Sequence, residues 1–355
     1  MEPGLRPAEA SPEGGLILID DDKSRSVVIE ILKTLGRKIM EGNFMDIMRI
    51  SRPASITFSM TYLQAACRDF SFSSFLNEAA LTENPVVRMQ LVCAFIVSGL
   101  HINPMEFKNK PPLNPILGET HTAELRDGTK IWLEQTCHHP PITSWYMQGP
   151  NNLYVFYGHG QIIAGLSGAN TIKASKQGKH VITFRNGDVL EYTAPSMKIS
   201  GVVLGQRNVN FEGTFEVLDH THSLVATFTF EIGKGMIDQI KGKFSSFFKS
   251  NKSVPTDFFQ VNICQKNGEN KEDLVQGSGS WLEYIQFTDN VMWKMGDLPH
   301  LYWELSRDCL PSDSVYRKDL QYLLAADIEN AQIAKDELEN LQRKDKSLRA
   351  LKIET

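Results

Sequence analysis

Hydrophobic residues recur along the chain at two different periods, and the switches between them divide it into three parts. Val27, Val28, Ile31, Leu32, Leu35 and Ile39 share one side of a helix, with Glu30, Lys33, Arg37 and Lys38 largely elsewhere. Ser24 or Ser26 can cap that helix after the acidic residues 20–22, and Gly42-Asn43 stops it near Glu41. A second helical stretch is predicted over roughly 59–77 and a third over 85–99. The third, PVVRMQLVCAFIVSG, has too few polar residues for a surface helix and is expected to be buried.

Between Ile116 and about Gln286 the texture becomes that of strands. Short runs rich in Val, Ile, Thr, Phe and Tyr are punctuated by turn signals, such as Arg126-Asp127-Gly128, Lys176-Gln177-Gly178 and Asn267-Gly268. HVITFRNGDVLEYTA reads as a hairpin about an Asn-Gly turn. Strands so closely spaced, with no helices between them, predict an antiparallel sheet best closed into a barrel. From Leu310 the pattern is helical again, over 317–324 and 327–351, where Gly and Pro are absent. Lys335, Glu339 and Arg343 fall at i, i+4 and i+8 on one face of the last helix. The expected class is mainly β with flanking helices (α+β), built on a large antiparallel β-barrel. Residues 1–15, rich in Pro, Gly and Glu, read as a disordered tail.

Composition narrows the function. A formal net charge of -5 over 355 residues argues against nucleic-acid binding through bulk positive charge, so attraction to phosphate has to be local. The five cysteines are odd in number and without C-x-x-C spacing, which fits free thiols in a reducing compartment. The N-terminus has no basic region ahead of an apolar core, and no run of 18 uninterrupted apolar residues occurs anywhere. A cytoplasmic protein with peripheral membrane association is expected.

The strongest chemical signal is Leu133-Glu134-Gln135-Thr136-Cys137-His138-His139-Pro140-Pro141. Neighbouring strand residues point to opposite faces, but a Pro-Pro bend immediately after them can bring both imidazoles toward one ligand. A histidine pair can donate to a phosphate at a pocket mouth. Two solvent-facing histidines at a turn is the other reading. An enzyme would use Cys137 with His138 or His139, or His121, Cys137 and His139 around zinc. Adjacent side chains diverge, however, and no G-x-S-x-G, H-E-x-x-H or P-loop pattern is present. Catalysis, cofactor and metal are therefore not expected. A coiled-coil scaffold fares no better, because Leu338, Leu341, Leu348 and Leu351 sustain barely two heptads.

Glu134-Gln135 with His138-His139-Pro140-Pro141 resembles the E-Q-x-S-H-H-P-P fingerprint of the oxysterol-binding protein-related family, with Cys137 in place of the usual Ser. Lys110-Pro111-Pro112-Leu113-Asn114-Pro115-Ile116-Leu117-Gly118-Glu119-Thr120 resembles its K-P-x-N-P-x-L-G-E-T block, with one extra residue that shifts Lys110 a place early. Residues 50–55, 88–99 and 310–319 resemble further blocks in the right order, and Lys335, Glu339 and Arg343 match a K-x-x-x-E-x-x-x-R stripe.

The resemblance implies a lipid-transfer protein, a short form without a pleckstrin-homology domain, that exchanges phosphatidylinositol 4-phosphate for a second lipid in a barrel tunnel. His138 and His139 correspond to phosphate contacts, Asn114 to a polar head-group contact, and Lys335 and Arg343 to a cationic wall that includes Glu339. Lys110 is a further candidate ligand. The second lipid, a sterol or a glycerophospholipid, stays open, as does a lipid sensor or scaffold without net transfer. The implied plan is a lid helix over 16–44, a barrel core with N-terminal helices over 45–310, and a C-terminal helical part over 311–355. Residues 234–252 leave the family pattern: Phe244, Phe247 and Phe248 recur with Met236, Ile237 and Ile240 at helical spacing among lysines. A basic amphipathic helix of this kind suits an anionic membrane surface, through Lys241, Lys243, Phe247 and Phe248. A monomer is expected.

Overall fold

Helix and strand boundaries come from a computed structural model that describes residues 6–18, 26, 51–107, 110–168, 170–230, 254–268, 270–288, 290–297 and 302–351. Among these, six helices are formed: α1 (Tyr62–Arg68), α2 (Ser74–Leu81), α3 (Pro85–Gly99), α4 (Ile102–Phe107), α5 (Lys318–Leu324) and α6 (Ile328–Leu351). Local chemistry starts the first and third. Thr61 and Gln64 form a reciprocal capping box on α1. The Asn84 side chain accepts from the amides of Val86 and Val87 ahead of Pro85 at the start of α3.

The helix expected over 59–77 is instead two helices broken at 69–73. Phe70 and Phe72 are both buried, a two-residue spacing that a continuous helix would send to different sides. Gly99 at the end of α3 comes so close to α1 that an added Cβ would sit 2.2 Å from the Asp69 carbonyl oxygen. Among the described residues one helical stretch, Pro85–Phe107, is long and apolar enough to cross a membrane, and 61% of its most apolar window is buried inside the fold.

Among the described residues seventeen strands join one antiparallel sheet. The first five are β1 (Leu16–Ile17), β2 (Thr120–Glu124), β3 (Lys130–Cys137), β4 (Ile142–Gln148) and β5 (Tyr154–Leu166). They are followed by β6 (Thr171–Gln177), β7 (His180–Phe184), β8 (Val189–Tyr192), β9 (Ser196–Ser200), β10 (Asn208–Glu212) and β11 (Thr214–Asp219). The rest are β12 (Leu224–Phe230), β13 (Phe258–Asn267), β14 (Asn270–Ser280), β15 (Tyr284–Phe287), β16 (Asn290–Lys294) and β17 (Glu304–Leu305). Strand β3 alternates exposed and buried residues along most of its length, the mark of a sheet with one wet face. The β7–β8 hairpin turns at Asn186-Gly187, with Gly187 at φ 94°, as the Asn-Gly signal predicts.

The sheet does not close into the expected barrel. Strand β5 pairs with β4 along one side, while its other side is shared between β7 over 154–158 and β6 over 161–166. The sheet therefore forks. One arm continues through β8, β11, β12, β13, β14, β15 and β16, the other through β9, β10 and β1. The described registers leave β1, β16 and β17 with one neighbour each, whereas a closed barrel gives every strand two. Helix α3 lies against β11, β12, β15 and β16. The core it joins is continuous and aromatic-rich: Phe156 meets Phe70 and Phe95 edge to face, and Trp281 and Trp293 are buried.

Residues 6–18 are not a loose tail. Arg6 forms an ion pair with the buried Asp257 at 2.9 Å and a second with Glu283, and Leu16-Ile17 add a strand to β10. The lid helix expected from residue 24 and the basic segment 234–252 lie outside the described residues, apart from Ser26. All five cysteines are free thiols.

Candidate functional site

Strand β3 ends in the histidine turn. Its register with β4 shifts between Gln135 and Cys137, which breaks the strict alternation of faces just before His138 and His139. The two imidazoles consequently lie side by side, with ring centroids 4.3 Å apart and planes at 49°. The His139–Pro140 peptide is cis. Gln135, buried beneath the turn, braces it. Its side-chain nitrogen donates to the Cys137 carbonyl at 2.7 Å, and its side-chain oxygen accepts from the Thr143 hydroxyl.

From this base a chain of polar contacts leads to the C-terminal helix. Gln135 exchanges backbone hydrogen bonds with the adjacent loop, donating to Glu119 and accepting from Gly118, both at 2.9 Å. Gly118 holds φ at 78°, a conformation that favours glycine. The buried Glu119 accepts from the Ile116 amide and from Arg317 at 2.7 Å. Arg317 also holds Asp319 through two nitrogens, at 3.0 and 2.6 Å, and donates to the Asn114 carbonyl at 2.8 Å. Burial opposes the Arg317 charge, but Glu119 and Asp319 outweigh it and hold the guanidinium above its ordinary pKa. Burial raises the Glu119 carboxyl, with Arg317 opposing. Glu119 is thus closed in a salt bridge inside the scaffold.

Beyond Asn114 the cations gather. Arg52 donates to the Asn114 side-chain oxygen and to the Pro112 carbonyl. Its neighbour Ser51 sits between Lys335 and Glu339 on α6, accepting from the first at 2.5 Å and donating to the second at 2.9 Å. One turn earlier, Gln332 accepts from the Ala54 amide at 2.8 Å. Residues 332, 335 and 339 thereby present one face of α6 to the 51–54 segment. Glu339 pairs with Lys335 at 2.5 Å and reaches Arg343 at 3.9 Å. The Lys335 side chain is 5% exposed while that of Arg343 is 64% exposed, so the stripe runs from the interior to water. Lys110 is exposed at the head of the same loop.

Of the seven residues predicted from sequence, Asn114 bonds to Arg52 while Lys335 and Glu339 bond to the adjacent Ser51. His138 and His139 stand at the other end of the Gln135–Glu119–Arg317–Asn114 chain. Arg343 sits at the solvent end of the stripe. Ser51, Arg52, Arg317 and Gln135 were not singled out, although all lie inside the family-like blocks. Arg52 precedes Pro53, but Ser51, Gln135 and Arg317 have no proline neighbour, and no local pattern marks the four together. Lys335, Arg343 and Arg52 outnumber Glu339, so the set favours an anion rich in acceptors, and a phosphate answers that description. Among the described residues no group of three or more His, Cys, Asp or Glu side chains is placed to hold a metal ion.

The family profile described as Oxysterol-binding protein matches residues 38–354. The chain is similar to Oxysterol-binding protein 9 of Dictyostelium discoideum, 30% identical over 349 residues, covering 94% of this chain and 78% of that protein. It is 25% identical over 320 residues to Oxysterol-binding protein-related protein 3 of Mus musculus, covering 84% of this chain but only 35% of the mouse protein. In fold it resembles the Osh3 ORD of Saccharomyces cerevisiae in complex with PI(4)P, with TM-score 0.73 and 19% identity over 98% of this chain and 89% of that one. The Osh1 ORD in complex with ergosterol gives TM-score 0.68 and 19% identity, covering 86% and 77%. With a family profile spanning most of its length and a relative 30% identical over 94% of the chain, the chain belongs to the oxysterol-binding protein family.

Proposed function

We propose that the chain binds phosphatidylinositol 4-phosphate and moves it between membranes in exchange for a second lipid, a sterol or a glycerophospholipid. The observation that carries this reading is that Gln135, Glu119 and Arg317 tie the histidine turn to the Asn114 loop, while Lys335 and Glu339 hold Ser51 of the segment that meets that loop through Arg52. It puts histidine donors and an under-neutralised cation stripe into one framework. His138, His139 and Arg343 would hold the phosphate. Lys335, Glu339 and Asn114 would hold the inositol ring, and Lys110 would close the rim. Relatives solved with PI(4)P and with ergosterol support both halves of the exchange. The lid over 16–44 would shield the bound lipid, each Å² of apolar surface covered contributing roughly 25 cal/mol. The basic segment with Lys241, Lys243, Phe247 and Phe248 would dock the protein as a monomer on anionic bilayers. Extraction from liposomes carrying a panel of labelled lipids tests the reading. Phosphatidylinositol 4-phosphate should be taken up in preference to unphosphorylated phosphatidylinositol, and one further lipid should compete with it. Equal uptake of both inositol lipids would refute it.

A further inference from the structure

Arg52 is the cation of this site whose charge no described carboxylate answers. Arg6, Arg88 and Arg317 are also sheltered, and each holds at least one carboxylate. Arg52 has only two neutral acceptors, the Pro112 carbonyl at 3.2 Å and the Asn114 side-chain oxygen. Among the described residues no carboxylate is within ion-pair distance of it, and burial lowers its pKa to about 10. A sheltered cation without a counter-charge weakens the fold. Such a residue is expected where a ligand supplies the missing charge, since binding sites are where local stability is sacrificed.

Its surroundings fit that expectation. Ser51, the preceding residue, contacts Lys335 and Glu339, so Arg52 belongs to the segment that meets the cation stripe of α6. Asn114 gives its side-chain oxygen to Arg52, and its amide nitrogen makes no hydrogen bond to any described residue. Arg52 and Asn114 hold each other as a pair that an anion could part.

We propose that Arg52 is an anion-binding residue of the head-group site. A phosphate oxygen of the ligand takes the guanidinium over from Asn114 in a charge-assisted hydrogen bond, and the freed Asn114 amide turns to the same ligand. The identity of that phosphate as part of a phosphoinositide rests on the function proposed above, whereas the anion site itself does not.

Arg52→Met and Arg52→Lys separate the possibilities. Without ligand, Arg52→Met should melt no lower than wild type, because it removes an unpaired cation. Its extraction of phosphatidylinositol 4-phosphate should fall about tenfold to a hundredfold, the range for losing a hydrogen bond to a charged group. Arg52→Lys should recover part of that loss. Wild-type extraction by Arg52→Met would overturn the proposal, and so would a lower melting temperature, which would make Arg52 a structural brace. Inorganic phosphate supplies a second arm. If wild type takes up no phosphoinositide, yet phosphate raises the melting temperature of wild type and not of Arg52→Met, the anion site stands and the phosphoinositide reading falls.

Discussion

Replacing Arg317 by Met should damage the scaffold of the site more than any single contact at its rim. The Arg317 side chain is 8% exposed and its guanidinium stands between the carboxylates of Glu119 and Asp319, whose side chains are 3% and 0% exposed. Methionine fills much of the volume but leaves both carboxylates without their cation. Breaking a buried pair from one side costs about 3–5 kcal/mol. The lost bond to the Asn114 carbonyl adds about 1 kcal/mol. A urea titration should show a lower midpoint with an unchanged slope. Adding Glu119→Gln should recover part of the loss, with a coupling of about 1–3 kcal/mol between the two positions.

The pH dependence of the same variant is a sharper check. Burial already raises the Glu119 carboxyl, and Arg317 opposes that rise. Without Arg317 the folded carboxyl would bind its proton more readily than the unfolded one. Stability would then be fully present below the unfolded value and lost as pH rises through the folded one, so the variant should be more stable at pH 5 than at pH 7. An unchanged urea midpoint, or a variant that weakens on acidification from pH 7 to 5, would refute this account of the scaffold.

Gly99→Ala should destabilise by about 1–3 kcal/mol, because its Cβ would meet the Asp69 carbonyl oxygen at 2.2 Å and neither backbone can yield cheaply; a melting temperature equal to wild type would contradict the close approach of α1 and α3. His101 stacks on Trp293 at 5.3 Å, and burial lowers its pKa to about 4. The unfolded imidazole takes its proton near 6.5, so stability should be lost as pH falls from there towards 4, by up to about 1.4 kcal/mol per unit. His101→Phe should flatten that slope in denaturant titrations across the same range.

What the sequence revealed was local. Asn84-Pro85 and Gly99 bound α3, Asn186-Gly187 turns the β7–β8 hairpin, and the absence of Gly and Pro after Ile328 lets α6 run unbroken. The failures are all non-local. Phe70 and Phe72 look helical until the core claims both. The Pro- and Gly-rich N-terminus looks disordered, yet Arg6 finds Asp257 from far along the chain. The fork at β5 depends on which of β6 and β7 each half of the strand meets, and alternation along one strand carries no information on that. The site divides the same way. The histidine pair, Asn114 and the α6 stripe stood out as motifs. Ser51, Arg52 and Arg317 gain their meaning only when segments from opposite ends of the chain meet.

The central claim is that the paired imidazoles at the end of β3 serve a phosphate and not the fold. His138→Ala with His139→Ala removes both from a half-buried turn whose brace, Gln135, stays in place. Wild type and double variant should be compared for extraction of phosphatidylinositol 4-phosphate from liposomes, with thermal unfolding as control. The account predicts a melting temperature close to wild type and extraction reduced by at least about a hundredfold, as expected when two hydrogen bonds to a charged group are lost. Extraction at the wild-type rate by a folded double variant would contradict it.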